Sequence, residues 1–202
     1  MTKAMRIPVS RFAPAERVPI EIIHRQAAAL ERVPLTAELL DAVLNRVFIL
    51  NPQRQIVFAS RGALDLASAK KHRDLLGLRP GEALGCVHAD EGEGGCGTAE
   101  ICRSCGAVSA ILESLAGRRE LREYRLTRFI GCREETLDLL VMATPLAHPE
   151  GTFSLLAIAD AQSRSAMEQL FARQPPNPDR KLAPPRAGKA RPRARSARQR
   201  GR

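Results

Sequence analysis

Apolar positions along the chain switch period several times, and each switch marks an element. Between Ile20 and Val33, the residues Ile22, Ile23, Gln26, Ala27, Leu30 and Val33 fall at helical spacing. Pro34 ends this helix, because it lacks the amide hydrogen a continuing helix needs. Thr36 then reads as the N-cap of a short amphipathic helix carrying Leu39, Leu40, Val43 and Leu44. Two short apolar runs follow, Val47-Phe48-Ile49-Leu50 and Gln55-Ile56-Val57-Phe58-Ala59. The polar turn Asn51-Pro52-Gln53-Arg54 separates them, which predicts a β-hairpin. Ser60 caps a helix predicted from Arg61 to Ala69.

Residues 70–101 are rich in glycine and read as loop. Helical spacing returns from Cys105 to Leu115 through Val108, Ile111, Leu112 and Leu115, with Gly117 as its stop. Three strand-like segments close the pattern: Leu121 to Phe129, Glu135 to Pro145 and Thr152 to Asp160. In the second, Leu137, Leu139, Val141 and Ala143 alternate with Asp138, Leu140, Met142 and Thr144. A last helix is predicted from Arg164 to Arg173. Strands joined by short turns imply an antiparallel sheet, and helices gathered between them imply α+β packing with one sheet face covered.

The order of these elements and three local motifs together resemble a PAS domain, the sensor module of many bacterial signalling proteins. Val47 to Ser60 looks like the opening PAS hairpin. Leu76-Gly77-Leu78-Arg79-Pro80-Gly81-Glu82 looks like the Leu-Ile-Gly-Lys element after the third helix. Ile158-Ala159-Asp160-Ala161-Gln162-Ser163-Arg164 is similar to the Asp-Ile-Thr-x-Arg signature, departing from it at Ala161 and Gln162. The resemblance spans about residues 38–173. It implies a five-stranded antiparallel sheet, a sensory role and dimerisation. It also implies a downstream partner such as a histidine kinase or a regulator.

The expected organisation is an irregular N-terminus over residues 1–19, a helix over 20–35, the sensor domain over 36–173 and a tail over 174–202. The apolar stripe of the first helix is buried either against a second copy, making a homodimer, or against its own sheet. Eleven of the basic residues and one acid lie between Arg173 and Arg202, so the net charge of +10 resides there and the rest is neutral. The sensor body is therefore not a basic nucleic-acid-binding surface. The tail has one Leu and no aromatic residue, too little apolar surface to offset chain entropy, and is expected to be disordered. Its charge suits nonspecific, salt-sensitive contact with nucleic acid or an anionic surface, or a purely solubilising role. No apolar run approaches the roughly 20 residues of a membrane span, and the expectation is a cytoplasmic protein.

The chemistry is concentrated in one stretch. Cys86, Cys96, Cys102 and Cys105 follow the spacing C-x9-C-x5-C-x2-C. Two-residue spacing at the start of a helix lets the Cys102 and Cys105 sulfurs face one centre, and the helix N-terminus is expected to favour their thiolates. The intervening glycines let the loop wrap around an ion. Four thiolates suit tetrahedral Zn²⁺ or an iron–sulfur cluster, and His88 could replace one of them. Some PAS sensors hold a four-cysteine cluster, so the resemblance admits that reading. A thiol–disulfide switch and four unligated loop thiols are the alternatives. Cys132, in the turn Gly131-Cys132-Arg133, is expected to stand apart, as are His24, His72 and His148.

Other cofactors fit less well. The flavin-binding PAS domains use an Asn-Cys-Arg-Phe-Leu-Gln stretch that Leu84-Gly85-Cys86-Val87-His88 does not match. A haem ligand on the long helix is missing, since residues 105–117 contain no His. No phosphate-binding glycine loop or phospho-acceptor histidine box is present, so the chain is expected not to be an enzyme. The function expected is a sensory module that reports redox state, oxygen or metal through its cysteine site. The alternative is a zinc-stabilised or metal-free interaction module tethered to nucleic acid by its tail.

Overall fold

The computed structural model describes residues 8–32 and 46–173. The predicted short helix around Thr36 to Leu44, and the basic tail over 174–202, lie outside the described residues.

Helix α1 (Ile20–Glu31) precedes strands β1 (Val47–Leu50) and β2 (Ile56–Ala59). Helix α2 (Arg61–Leu66), a 3-10 turn at His72–Asp74, helix α3 (Pro80–Ala83) and a second 3-10 turn at Glu100–Ser104 follow. Helix α4 (Gly106–Leu115) leads into β3 (Glu120–Ile130), β4 (Arg133–His148), β5 (Gly151–Asp160) and helix α5 (Arg164–Arg173). The five strands form one antiparallel sheet in the order β2-β1-β5-β4-β3. The α+β class and the five antiparallel strands are those expected from the sequence. Among the described residues, no helix is long and apolar enough to cross a membrane.

The strands form where period-two patterning lets each present one apolar row to a core. Phe48, Leu50, Leu139, Val141, Leu156 and Ile158 bury against Ala107, Ala110 and Ile111 of α4. The hairpin turn is fixed by Asn51, whose side-chain oxygen accepts from the amides of Gln53 (3.0 Å) and Gln55 (2.9 Å). Ser60 caps α2 as predicted, accepting from the amide of Ala63.

The second sheet face is not bare. Ile23 and Leu30 of α1 pack on Ile49, Val57 and Phe153, while Met167 of α5 packs on Val47, Leu140, Met142 and Ala157. Both faces of β1 are therefore covered, and all four of its residues are buried. This is why the strand reads as an unbroken apolar run instead of an alternating one. The stripe on α1 rests on its own sheet, so it gives no argument for a second copy. The Gln26 side-chain oxygen also accepts from Asn51 Nδ2 (3.1 Å), which ties α1 to the hairpin turn.

Candidate functional site

Four loop and helix-end cysteines line one cavity in front of α4. Cys86 follows α3, and its loop is pinned to the edge strand by the Val87 amide donating to the Thr127 carbonyl (3.0 Å). Cys96 sits between Gly95 and Gly97; the latter has φ +90°, a conformation that glycine adopts without strain. Cys102 lies buried in the second 3-10 turn, and Cys105 is the N-cap of α4. The four line one cavity of about 380 Å³, together with Tyr124 and His88.

Two glycines make this packing possible. A Cβ on Gly81 would stand 2.6 Å from Cys96 Sγ. A Cβ on Gly106 would stand 1.7 Å from the Glu123 carbonyl oxygen, so the start of α4 sits directly on β3. Both are contacts that only a residue without a side chain permits.

Backbone amides point at three of the four sulfurs. The amide of His88 donates to Cys86, that of Gly81 to Cys96, and those of Ala107 and Val108 to Cys105. The Tyr124 hydroxyl also bonds Cys86. Each of these contacts favours thiolate over thiol. Burial nevertheless outweighs them. It pushes the Cys86 and Cys105 thiols up and the Cys96 thiol up to about 12, with the neighbouring cysteines adding to the effect. The same burial holds the Tyr124 phenol well above its ordinary value. The expectation that the helix N-terminus would favour the Cys105 thiolate is therefore corrected: the amides are in place, but desolvation of the anion is the larger effect.

The four cysteines share one cavity. Among the described residues, no group of three or more His, Cys, Asp or Glu side chains is arranged to hold a metal ion. His88 is turned toward Glu91, its Nδ1 lying 2.6 Å from the carboxylate. Cys132 is exposed in the β3–β4 turn and does not line the cavity. His24 and His72 are exposed, and His148 sits edge-on to Phe153 with ring centroids 5.9 Å apart.

Sequence reasoning missed the charged layer behind Cys96. Arg79 and Arg54 are 0% and 3% exposed, although Arg54 belongs to a turn that reads as solvated. Glu82 accepts from the amides of Arg79 (2.9 Å) and Cys96 (3.0 Å) and pairs with Arg17. Burial, with Arg17 adding, lowers the pKa of Arg54, and burial with Arg54 and Arg17 adding brings Arg79 down to about 10. The signal available in the sequence was Arg79-Pro80-Gly81-Glu82: Pro at the first helical position and Glu at the third mark a helix start inside the supposed loop.

No family model matches the chain, and no curated protein is similar to it. Several solved PAS domains align with the chain at low identity. The PAS domain of nitrogen regulation protein NR(II) from Vibrio parahaemolyticus is 17% identical, with 60% of this chain and 97% of that one covered and a TM-score of 0.42. The PAS domain of BvgS from Bordetella pertussis is 13% identical, with 70% and 95% covered and a TM-score of 0.44. The PAS domain of an HTR-like protein from Haloarcula marismortui is 14% identical, with 69% and 92% covered and a TM-score of 0.38. The five-stranded sheet, with its helices between β2 and β3, has the order of elements that the sequence resemblance implied. The fold is PAS-like.

Proposed function

We propose that this PAS-like domain is a sensory module whose four-cysteine cavity holds an iron–sulfur cluster, ligated by Cys86, Cys96, Cys102 and Cys105. The observation that carries the reading is the single cavity lined by all four cysteines, with backbone amides beside three of them as support. Hydrogen bonds to ligand sulfurs are a principal means by which a protein tunes such a cluster. The buried guanidiniums of Arg54 and Arg79 add positive charge on the Cys96 side, which suits an anionic, thiolate-bound group.

The reading takes a cluster over zinc because a cluster accepts ligands set further apart. Tetrahedral Zn²⁺ with bonds of about 2.3 Å needs sulfurs about 3.8 Å apart around one point. A cluster places several irons and sulfides between its ligands, which keeps the thiolates apart and fills the space. When bound, it supplies a one-electron redox centre sensitive to oxygen. The chain's own residues hold it, shield it and hydrogen-bond its ligands. The output passes to a partner protein, such as a histidine kinase or a regulator, and not to catalysis within this chain.

The test is purification with and without air, followed by visible absorbance and iron, sulfide and zinc quantification. The expected result is a coloured protein with iron and sulfide in equal amounts, bleaching in air. A colourless protein holding neither contradicts the reading, and one zinc per chain without iron replaces the cluster by zinc.

A further inference from the structure

Strand β4 reaches past its neighbour. It pairs with β5 from Leu139 to His148, and β5 ends at Asp160, opposite Leu139. Residues 133–138 of β4 therefore have β3 on one side and, among the described residues, no strand on the other. The register shows which backbone groups are left over. Thr127 of β3 accepts from the Val87 amide outside the sheet, so it turns its peptide groups away from β4. Thr127 lies opposite Thr136, and in an antiparallel ladder such a pair exchanges no hydrogen bonds. The N–H and C=O groups of Thr136, and of Glu134 two residues before it, thus face the open side. Such an edge is a template for one more strand.

The side chains along that edge restrict what the strand can be. Glu134, Thr136 and Asp138 share one face of the sheet, and all three are exposed. Glu134 has no ion pair among the described residues, and Asp138 meets Arg125 (3.0 Å) on an open surface. The same edge of a second copy does not fit. Antiparallel pairing centred on Thr136 would set Glu134 against Asp138, and pairing centred on Glu134 would set that acid against itself. Like charges directly opposite one another destabilise a sheet. The added strand must instead bring basic side chains at every second position.

We infer that the chain's own segment Arg191-Pro192-Arg193-Ala194-Arg195 adds to this edge as an antiparallel sixth strand. The segment lies outside the described residues, and its sequence fits the edge in two respects. Arg191, Arg193 and Arg195 alternate, so one face of the strand is wholly basic and meets the row of Glu134 and Asp138. The same alternation turns the arginine N–H groups toward β4 and position 192 away from it. That outer side of an edge strand is where proline, with no N–H to give, is accommodated. Residues 174–190 link the segment to α5 and span up to about 60 Å, against a radius of gyration of about 15 Å for a domain of this size. A segment too polar to build a core can still add to a preformed edge, because main-chain hydrogen bonds supply the affinity. The contact does not depend on what the cysteine cavity holds.

Hydrogen exchange of the Glu134 and Thr136 amides tests this in the full chain, at two widely separated protein concentrations. Wild type is compared with Arg193→Pro, which puts a ring where the strand must donate. The control is Arg198→Pro, which removes the same charge outside the segment. Both amides are expected to exchange about tenfold more slowly in wild type and in Arg198→Pro than in Arg193→Pro, at either concentration. Arg191→Glu combined with Arg195→Glu is expected to exchange as fast as Arg193→Pro. Equal rates in wild type and Arg193→Pro overturn the inference, as does equal loss of protection in Arg198→Pro. Protection that grows with concentration overturns it in favour of a strand from a second copy. Every substitution lies outside the folded domain, so the rates report on the edge and not on folding.

Discussion

Cys96 Sγ lies 2.6 Å from the point where a side chain on Gly81 would place its Cβ. The contact couples α3 to the cysteine loop. Alanine at position 81 improves helix propensity by about 1 kcal/mol in an open helix, yet here it displaces the sulfur. Gly81→Ala is expected to lower stability by about 1–3 kcal/mol and to reduce iron binding. Urea unfolding and iron analysis check this. A gain in stability would mean that the loop gives way freely.

The buried thiols set a pH dependence for the unloaded protein. The Cys96 thiol ionises at about 12 in the folded chain against an ordinary value of 9.0, and Cys86 and Cys105 are displaced in the same direction. For an acid whose pKa is raised by folding, the unfolded chain loses its proton first. Stability is therefore full below 9.0 and declines as pH rises from there toward about 12. Each such thiol contributes a slope of at most about 1.4 kcal/mol per pH unit. Denaturant unfolding at a series of alkaline pH values checks the sign. Replacing Cys96 by Ala should flatten the decline.

Helix α1 is predicted to be part of the domain core. Ile23 is fully buried against Ile49, Val57 and Phe153. Ile23→Ala is expected to cost about 2–5 kcal/mol, as truncations in packed cores do. The loss should not depend on protein concentration, because the contacts are within one chain. Thermal melts at two widely separated concentrations measure both quantities.

Much of the fold was legible because period and punctuation agreed. The β1–β2 hairpin, the Ser60 cap, α4 and the three final strands each combine apolar patterning with a turn or capping residue. The gathering of four cysteines was legible as spacing alone. The coverage of both sheet faces was less visible, since it depends on where α1 and α5 come to rest. The charged layer was not legible at all. Arg54, Arg79 and Glu82 look like solvated loop residues, and what buries them is the N-terminal segment and the Cys96 loop, brought in from 15 to 65 residues away. The thiol pKa values were misjudged for a similar reason. The helix end is visible in the sequence, whereas the desolvation that overrides it exists only after folding.

Iron and acid-labile sulfide bound per chain, after anaerobic loading of single-cysteine variants, test the central claim most directly. Cys86→Ser, Cys96→Ser, Cys102→Ser and Cys105→Ser are each expected to lose most of the bound iron and sulfide, and Cys132→Ser to retain wild-type amounts. Full loading in all four cavity variants, or loss of loading in Cys132→Ser, would contradict the account.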